Sequence, residues 1–139
     1  MKKHELAWDE SRHGVGIALI DDQHRQIIDK VNQIAHVAAT GAKSDALKEM
    51  LEDMLLFMCA HFAVEERLMA EHGYPDMESH IQEHLRMYQQ LSNLVKTVLH
   101  ATRQDKAALV SAYLSDWAEQ HIIRTDKALG GFLTAKGLG

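Results

Sequence analysis

The sequence is poor in the features that mark secreted, membrane and nucleic-acid-binding proteins. It has one cysteine, which excludes an internal disulfide framework and favours a reducing compartment. No apolar run approaches the roughly 18 residues of a membrane span, and the N-terminus lacks the apolar core of a secretory signal. With 15 Lys and Arg against 20 Asp and Glu, and no basic cluster, the chain is not typical of nucleic-acid binders. We therefore expect a soluble, cytoplasmic protein with neither nucleic acid nor membrane as a partner.

Proline is equally scarce, and no segment alternates apolar and polar residues as a half-buried strand does. Apolar residues instead recur at intervals of three and four, which predicts helices over about 21–39, 44–72, 75–101 and 106–128. Because short loops make consecutive helices antiparallel neighbours, the sequence predicts an all-α, up-down-up-down four-helix bundle. We expect residues 1–139 to form one domain of this kind.

Both termini are expected to pack on the bundle without extending it. Residues 1–16 are predicted to form an N-terminal arm, in which Trp8 contacts the bundle. The C-terminal residues are predicted to form a short tail, because the segment "GGFLTAKGLG" departs from a strong helix pattern. Phe132 and Leu133 are expected to anchor this tail.

Histidine is the residue in excess, with ten in 139 residues. Six polar residues occupy positions on the inward stripes where a bundle normally has leucine: His24, His61, Glu65, His80, His84 and His121. A buried, ionised Glu65 would cost several kcal/mol unless a cation or strong donors compensated it. Since its predicted neighbours are neutral imidazoles, a bound metal would satisfy all of these groups together.

The positions of these residues along their helices point to one site. His24 lies near the start of the first predicted helix, and His61 lies in the second half of the next. His80 and His84 lie near the start of the third predicted helix, whereas His121 lies near the end of the fourth. In an antiparallel bundle these four levels coincide, so the side chains are predicted to converge at one end of the interior.

Spacing indicates which residues can share a centre. Residues four apart differ by about 40° around a helix, so His61 and Glu65 can reach one point, as can His80 and His84. Asp126 follows His121 by five residues, which is about 140° on an ideal helix. We therefore predict a π-bulge or a loosened last turn between them, which would bring Asp126 into the site.

Seven ligands, of which five are histidines and two are carboxylates, exceed what a tetrahedral zinc site uses. They are too rich in nitrogen for calcium or magnesium. Two octahedral transition ions bridged by carboxylates fit the set, and iron is favoured.

The motifs "WDE", "IDDQH", "HFAVEERLM", "HIQEH" and "HIIRTD" resemble those of hemerythrins, specifically the bacterial single-domain hemerythrins. The resemblance runs from about Trp8 to Asp126, which is nearly the whole chain. It implies a four-helix bundle around a non-haem di-iron centre that binds O2 reversibly.

The resemblance also implies a role for each of the seven residues. One iron, with every position filled, would be held by His80, His84 and His121. The other would be held by His24 and His61, with one position open for O2. Glu65 and Asp126 would bridge the two irons, together with an oxo or hydroxo group.

Other residues near these motifs have two interpretations. Phe62 and Trp117 could form an apolar wall of the O2 pocket or could be ordinary core aromatics. Glu66 could accept a hydrogen bond from a ligand imidazole or could be a solvated charge. Cys59 is expected to face away from the site as a packed apolar residue. The remaining histidines are expected at the surface: His4, His13, His36, His72 and His100.

Three classes of function fit the predicted centre. We favour a reversible O2-binding protein for storage or delivery, which is not an enzyme. The alternatives are a di-iron redox enzyme acting on O2, peroxide or nitric oxide, and a sensor of O2, redox state or iron. The sequence leaves the oligomeric state open, and we favour a monomer.

Overall fold

The computed structural model describes residues 6–40, 44–101 and 103–139, and these ranges are almost entirely helical. Two short segments, Glu10–His13 (α1) and Lys127–Ala135 (α6), flank the long helices. The long helices are α2 (Ala18–Thr40), α3 (Ser44–His72), α4 (Met77–Val98) and α5 (Arg103–Asp116). A π-helix over Trp117–Asp126 joins α5 to α6 without a break. Residues 1–5 of the predicted arm, including His4, lie outside the described residues.

Each long helix packs against two others, which makes a closed bundle. α2 contacts α3 and α5, and α4 contacts the same two helices from the opposite corner. The all-α four-helix bundle is thereby confirmed. Within the described ranges, no helix has the length and apolar character that crossing a membrane requires.

The turn between α3 and α4 has the chemistry of a Schellman cap. Gly73 has a φ of +66°, which a residue without a side chain adopts freely. The Tyr74 N–H then donates to the Met69 carbonyl over 3.0 Å, which closes the end of α3. This tight reversal holds the end of α3 beside the start of α4.

The first long helix begins at Ala18, earlier than the predicted start near residue 21. The helical hydrogen bonds already include Asp21 N–H to the Ile17 carbonyl at 2.9 Å. The buried Asp21 carboxylate accepts the Val15 N–H at 2.8 Å and so ties the arm to α2.

The C-terminal residues differ from the predicted tail, since they continue the last helix to Ala135. Leu129 and Leu133 are buried on its inner face, and their burial outweighs the low helix propensity of the glycines between them. Phe132 packs half-buried against the core, as expected of an anchor.

The arm buries one histidine that was expected at the surface. Asp9 caps α1 by accepting the Ser11 N–H, and the Asp9 N–H donates to Nδ1 of His13. His13 therefore folds inward, 5.5 Å from the Trp8 ring, and burial lowers its pKa. The prediction of a surface His13 was wrong, while Trp8 packs against the core as predicted. The prediction for Cys59 was wrong in one respect, because the side chain is exposed rather than packed.

Candidate metal centre

The structure brings all seven predicted ligands together inside one end of the bundle. Each is at least 98% buried, and α2, α3, α4 and the π-helix each contribute. The seven residues are His24, His61, Glu65, His80, His84, His121 and Asp126. Nothing else in the described core has a comparable concentration of titratable side chains.

The seven residues divide into two groups that share both carboxylates. In each group, one ligating atom per residue lies within 4.8 Å of all the others. The larger group contains three histidines with the two acids: His80, His84, His121, Glu65 and Asp126. The smaller group contains His24 and His61 with the same two acids.

Glu65 faces the two groups with different oxygen atoms. Its Oε1 lies 3.0 Å from Nε2 of His80 and 2.9 Å from Nε2 of His84. Its Oε2 lies 3.0 Å from Nε2 of His61 and 3.5 Å from Nε2 of His24. A carboxylate placed in this way can bind one ion through each oxygen.

Asp126 reaches the same two groups from the π-helix. Its Oδ1 lies 3.1 Å from Nε2 of His80, and its Oδ2 lies 2.8 Å from Nε2 of His24 and 3.0 Å from Nε2 of His121. The π-helix covers the interval from His121 to Asp126 and gives the five-residue spacing a common face. The predicted departure from α geometry is thereby confirmed.

The donor set fits metal ions better than it fits hydrogen bonding. Both oxygens of Asp126, Oε2 of Glu65 and Nε2 of His121 are buried close to other polar atoms of the cluster, but none of them makes a hydrogen bond of acceptable geometry within the described residues. Nε2 of His24 also lies 3.2 Å from Nε2 of His61. Donor atoms about 2.1 Å from one ion and about 90° apart lie about 3 Å from each other, which is the spacing seen here. Two cations would satisfy these convergent lone pairs.

Without metal, protons on the histidines balance the two acids. Burial disfavours an imidazolium, but the carboxylates of Asp126 and Glu65 outweigh it and raise the pKa of His24 to about 9. Burial also disfavours the charged form of His80, but Asp126 and Glu65 outweigh it and raise the pKa of His80 to about 9. The pKa of Glu65 lies well below its usual value because nearby histidines outweigh its burial. Since a metal binds neutral imidazole, metal binding at neutral pH must displace these protons.

Two of the predicted ligand histidines make hydrogen bonds outside the cluster. Nδ1 of His84 lies 2.9 Å from Oε2 of Glu66, and Nδ1 of His61 lies 2.8 Å from Oε1 of Gln23. The structure therefore favours the first of the two interpretations of Glu66. Gln23 was missed by sequence reasoning, although its position directly before His24 is a usable signal.

Aromatic rings cover both groups of ligands. Phe62 stacks on His84 with ring centroids 4.1 Å apart and also lies 5.8 Å from His61. Trp117 is completely buried and meets His24 edge-on at 5.5 Å. Both aromatics therefore contact the rings of predicted ligands directly, so neither is remote core packing.

Comparison with known proteins agrees with this geometry. Residues 15–133 match the family model described as the hemerythrin HHE cation binding domain. The chain is 32% identical over 130 residues to a bacteriohemerythrin of Methylococcus capsulatus, covering 94% of this chain and 98% of that protein. It is 30% identical over 126 residues to a hemerythrin-like protein of Naegleria gruberi, covering 91% of this chain and 92% of that protein.

Solved structures give the same result. The wild-type hemerythrin crystal structure superposes with a TM-score of 0.77 at 28% identity, covering 93% of this chain and 98% of that chain. A point mutant of hemerythrin gives a TM-score of 0.79 over 93% of this chain and 97% of that chain. The family model and the relatives each cover most of the sequence, and the chain belongs to the hemerythrin family.

Proposed function

We propose that this protein binds O2 reversibly at a non-haem di-iron centre, for oxygen storage or delivery. Hemerythrins hold a di-iron centre, and the seven buried residues fit one. The observation that carries the proposal is the position of Glu65, whose two oxygens face different groups of histidines. Such a carboxylate is suited to join two ions in one site.

The two groups of residues suggest how the ions would be held. His80, His84 and His121 would hold one iron, and His24 and His61 would hold the other, with Glu65 and Asp126 bridging them. The second iron would have four protein donors, so a bridging oxo or hydroxo group would leave one of its six octahedral positions open for O2. When bound, the pair can give one electron from each iron to O2 and take both back as O2 leaves.

The chain surrounds the second group with side chains that withhold protons. Outside the cluster, the described ring contacts and hydrogen bonds of His24 and His61 involve Trp117, Phe62 and Gln23. None of these side chains titrates near neutral pH. A wall without a titrating proton donor opposes cleavage of reduced O2, which favours release. This environment supports a carrier rather than an enzyme.

Repeated oxygenation of the reduced protein tests the proposal. The protein is loaded with two Fe2+ per chain without air, exposed to O2, and then returned to vacuum. We expect a visible charge-transfer band that appears with O2, disappears on its removal and survives many cycles. A single irreversible oxidation, with consumption of added reductant, peroxide or nitric oxide, would overturn the carrier proposal in favour of a di-iron enzyme.

We further propose that the protein acts in the cytoplasm as a monomer. Its one cysteine is suited to a reducing compartment. The exposed large apolar side chains in the described residues are Leu19, Leu56, Leu85 and Tyr88, which are spread over three helices. Apolar side chains scattered in this way are ordinary surface features. Sedimentation of the iron-loaded protein measures the oligomeric state.

Trp117→Phe is expected to increase the rate of O2 dissociation several-fold. The smaller ring leaves a cavity in the wall beside His24, which widens the route by which O2 leaves the open position. Phe62→Leu should have a smaller effect, because the closest ring contact of Phe62 is with His84 of the other group. Stopped-flow mixing of the O2-loaded protein with an O2 scavenger measures both rates.

Phe57→Leu provides the matched control on α3. Phe57 is half-buried and lies under the Lys30 ammonium, and no ring contact joins it to a ligand histidine. Its replacement should leave the rate unchanged. Equal rates in the wild type, the Trp117 variant and this control would show that Trp117 is only a core residue.

A further inference from the structure

Helix α3 contains a second pair of functional side chains beside the ligand pair. His61 and Glu65 face the interior, and Phe62 and Glu66 each follow one of them in the sequence. One residue along a helix is a rotation of about 100°, so the second pair faces the neighbouring helix α4. There both of its members contact the same ligand, His84.

These two side chains contact the His84 ring from perpendicular directions, one at its face and one at its edge. Phe62 stacks on the face of the imidazole with an interplanar angle of 14°. Glu66 accepts a hydrogen bond from Nδ1–H at the ring edge over 2.9 Å, which leaves Nε2 free to bind metal. The His84 side chain is 2% exposed, whereas that of Glu66 is 36% exposed, so the acid lies between the site and the surface.

The other ligand histidines have no equivalent anionic partner. Nδ1 of His61 donates to the neutral amide oxygen of Gln23 over 2.8 Å. The Nδ1 atoms of His24, His80 and His121 are buried without a hydrogen-bond partner in the described part of the chain. Within those residues, only one ligand imidazole donates to a carboxylate outside the cluster.

We propose that Glu66 is a positioning residue that makes the iron held by His80, His84 and His121 easier to oxidise than the other. An acceptor carboxylate draws the Nδ1 proton toward itself, which makes the imidazole a more basic and more electron-rich ligand. An amide acceptor such as Gln23 orients the ring but supplies no charge. The ion held by His80, His84 and His121 is therefore the one that is more easily oxidised. This inference rests on the ligand role of His84 in the proposed function.

Glu66→Gln separates the charge of Glu66 from its hydrogen bond. The amide can still accept from Nδ1–H, as Gln23 does for His61, so the variant should retain two irons per chain. Its reduction potential, measured by spectroelectrochemistry, should shift to a more positive value. Gln23→Glu is the matched reverse change, because it gives His61 an anionic acceptor, and it should shift the potential to a more negative value.

Glu66→Ala tests the hydrogen bond itself. It should cause the same positive shift and also lower metal affinity about ten- to a hundredfold, because the ring loses its orienting partner. The zinc-loaded protein gives a readout that does not depend on O2 or iron redox chemistry. In its proton NMR spectrum, the Nδ1 proton of His84 should be most strongly downfield in the wild type, less so in Glu66→Gln, and rapidly exchanging in Glu66→Ala.

The two measurements also distinguish this inference from the proposed function. If the wild type cycles reversibly with O2 and Glu66→Gln changes neither the potential nor the Nδ1 proton, the role of Glu66 is overturned alone. If the wild type does not bind two irons, the proposed function fails. The zinc-loaded spectra would still decide whether Glu66 orients His84.

Discussion

Glu65→Ala is expected to abolish binding of the iron pair. Glu65 is completely buried, and its two oxygens are the donors that face both groups of histidines. Its removal takes one oxygen donor from each ion and the negative charge that the ions share, and it leaves Asp126 as the one acid of the described cluster. We expect less than one iron per chain by elemental analysis, and no change in absorbance on exposure to O2.

The same substitution should change stability differently with and without metal. In the metal-free protein, the raised pKa values of His24 and His80 depend partly on Glu65. Removing one member of a buried charged set costs about 3–5 kcal/mol, and the value here should lie near 3 because the histidines can lose their protons. In the wild type, iron should add about 2.7 kcal/mol of unfolding free energy at a hundredfold excess over its dissociation constant. Iron should not increase the unfolding free energy of the variant.

Glu71→Ala on the same helix is the matched control. Glu71 pairs with Arg67 at the surface, and such exposed pairs contribute only about 0.3–0.5 kcal/mol. Denaturant unfolding with and without Fe2+ compares the two variants directly. Two irons per chain and an unchanged spectrum in Glu65→Ala would remove Glu65 from the site.

The bundle and the convergence of the seven residues could be predicted because they follow from periodicity. A polar residue on an apolar helical stripe is predicted to be buried. The antiparallel order of the helices then fixes its height along the bundle axis. The spacing of His121 and Asp126 is equally informative. Five residues do not fit one face of an α-helix, so a shared site required the π-helix that the structure shows.

The partners of the ligands were harder to predict, because they depend on contacts between helices. Gln23 on α2 supports His61 on α3, and Glu66 on α3 supports His84 on α4. Each support residue is adjacent to a ligand in the sequence but contacts a ligand on the next helix. Periodicity along one helix gives the facing direction of such residues, but it does not give the side chain they meet.

The termini were predicted less well for a related reason. His13 has no apolar stripe around it, and its burial comes from the capped turn of α1. Gly130 and Gly131 have low helix propensity, yet the helix passes through both. Burial in the tertiary structure, of His13 in the arm and of Leu129 and Leu133 in α6, overrides local preference in both segments, and such burial is not visible in a local pattern.

Gly130→Ala is expected to destabilise the protein by about 1–3 kcal/mol through overpacking. A methyl group at this position would lie 2.0 Å from the Val15 carbonyl oxygen and 2.8 Å from the Val15 Cβ. The backbone of the arm cannot retreat easily, because the Val15 N–H is held by the buried carboxylate of Asp21. The substitution must therefore shift α6 or detach the arm. Denaturant unfolding of the metal-free protein measures the loss.

Gly131→Ala tests whether the contact, rather than helix propensity, causes this effect. Gly131 is exposed, and a methyl group there would meet nothing within 4 Å. Alanine favours a helix interior over glycine by about 0.5–1 kcal/mol, so this variant should be more stable than the wild type. The two neighbouring substitutions thus differ in sign, although the chemical change is identical. Stabilisation by both would show that the arm does not press on α6, and that glycine at residue 130 is not required by packing.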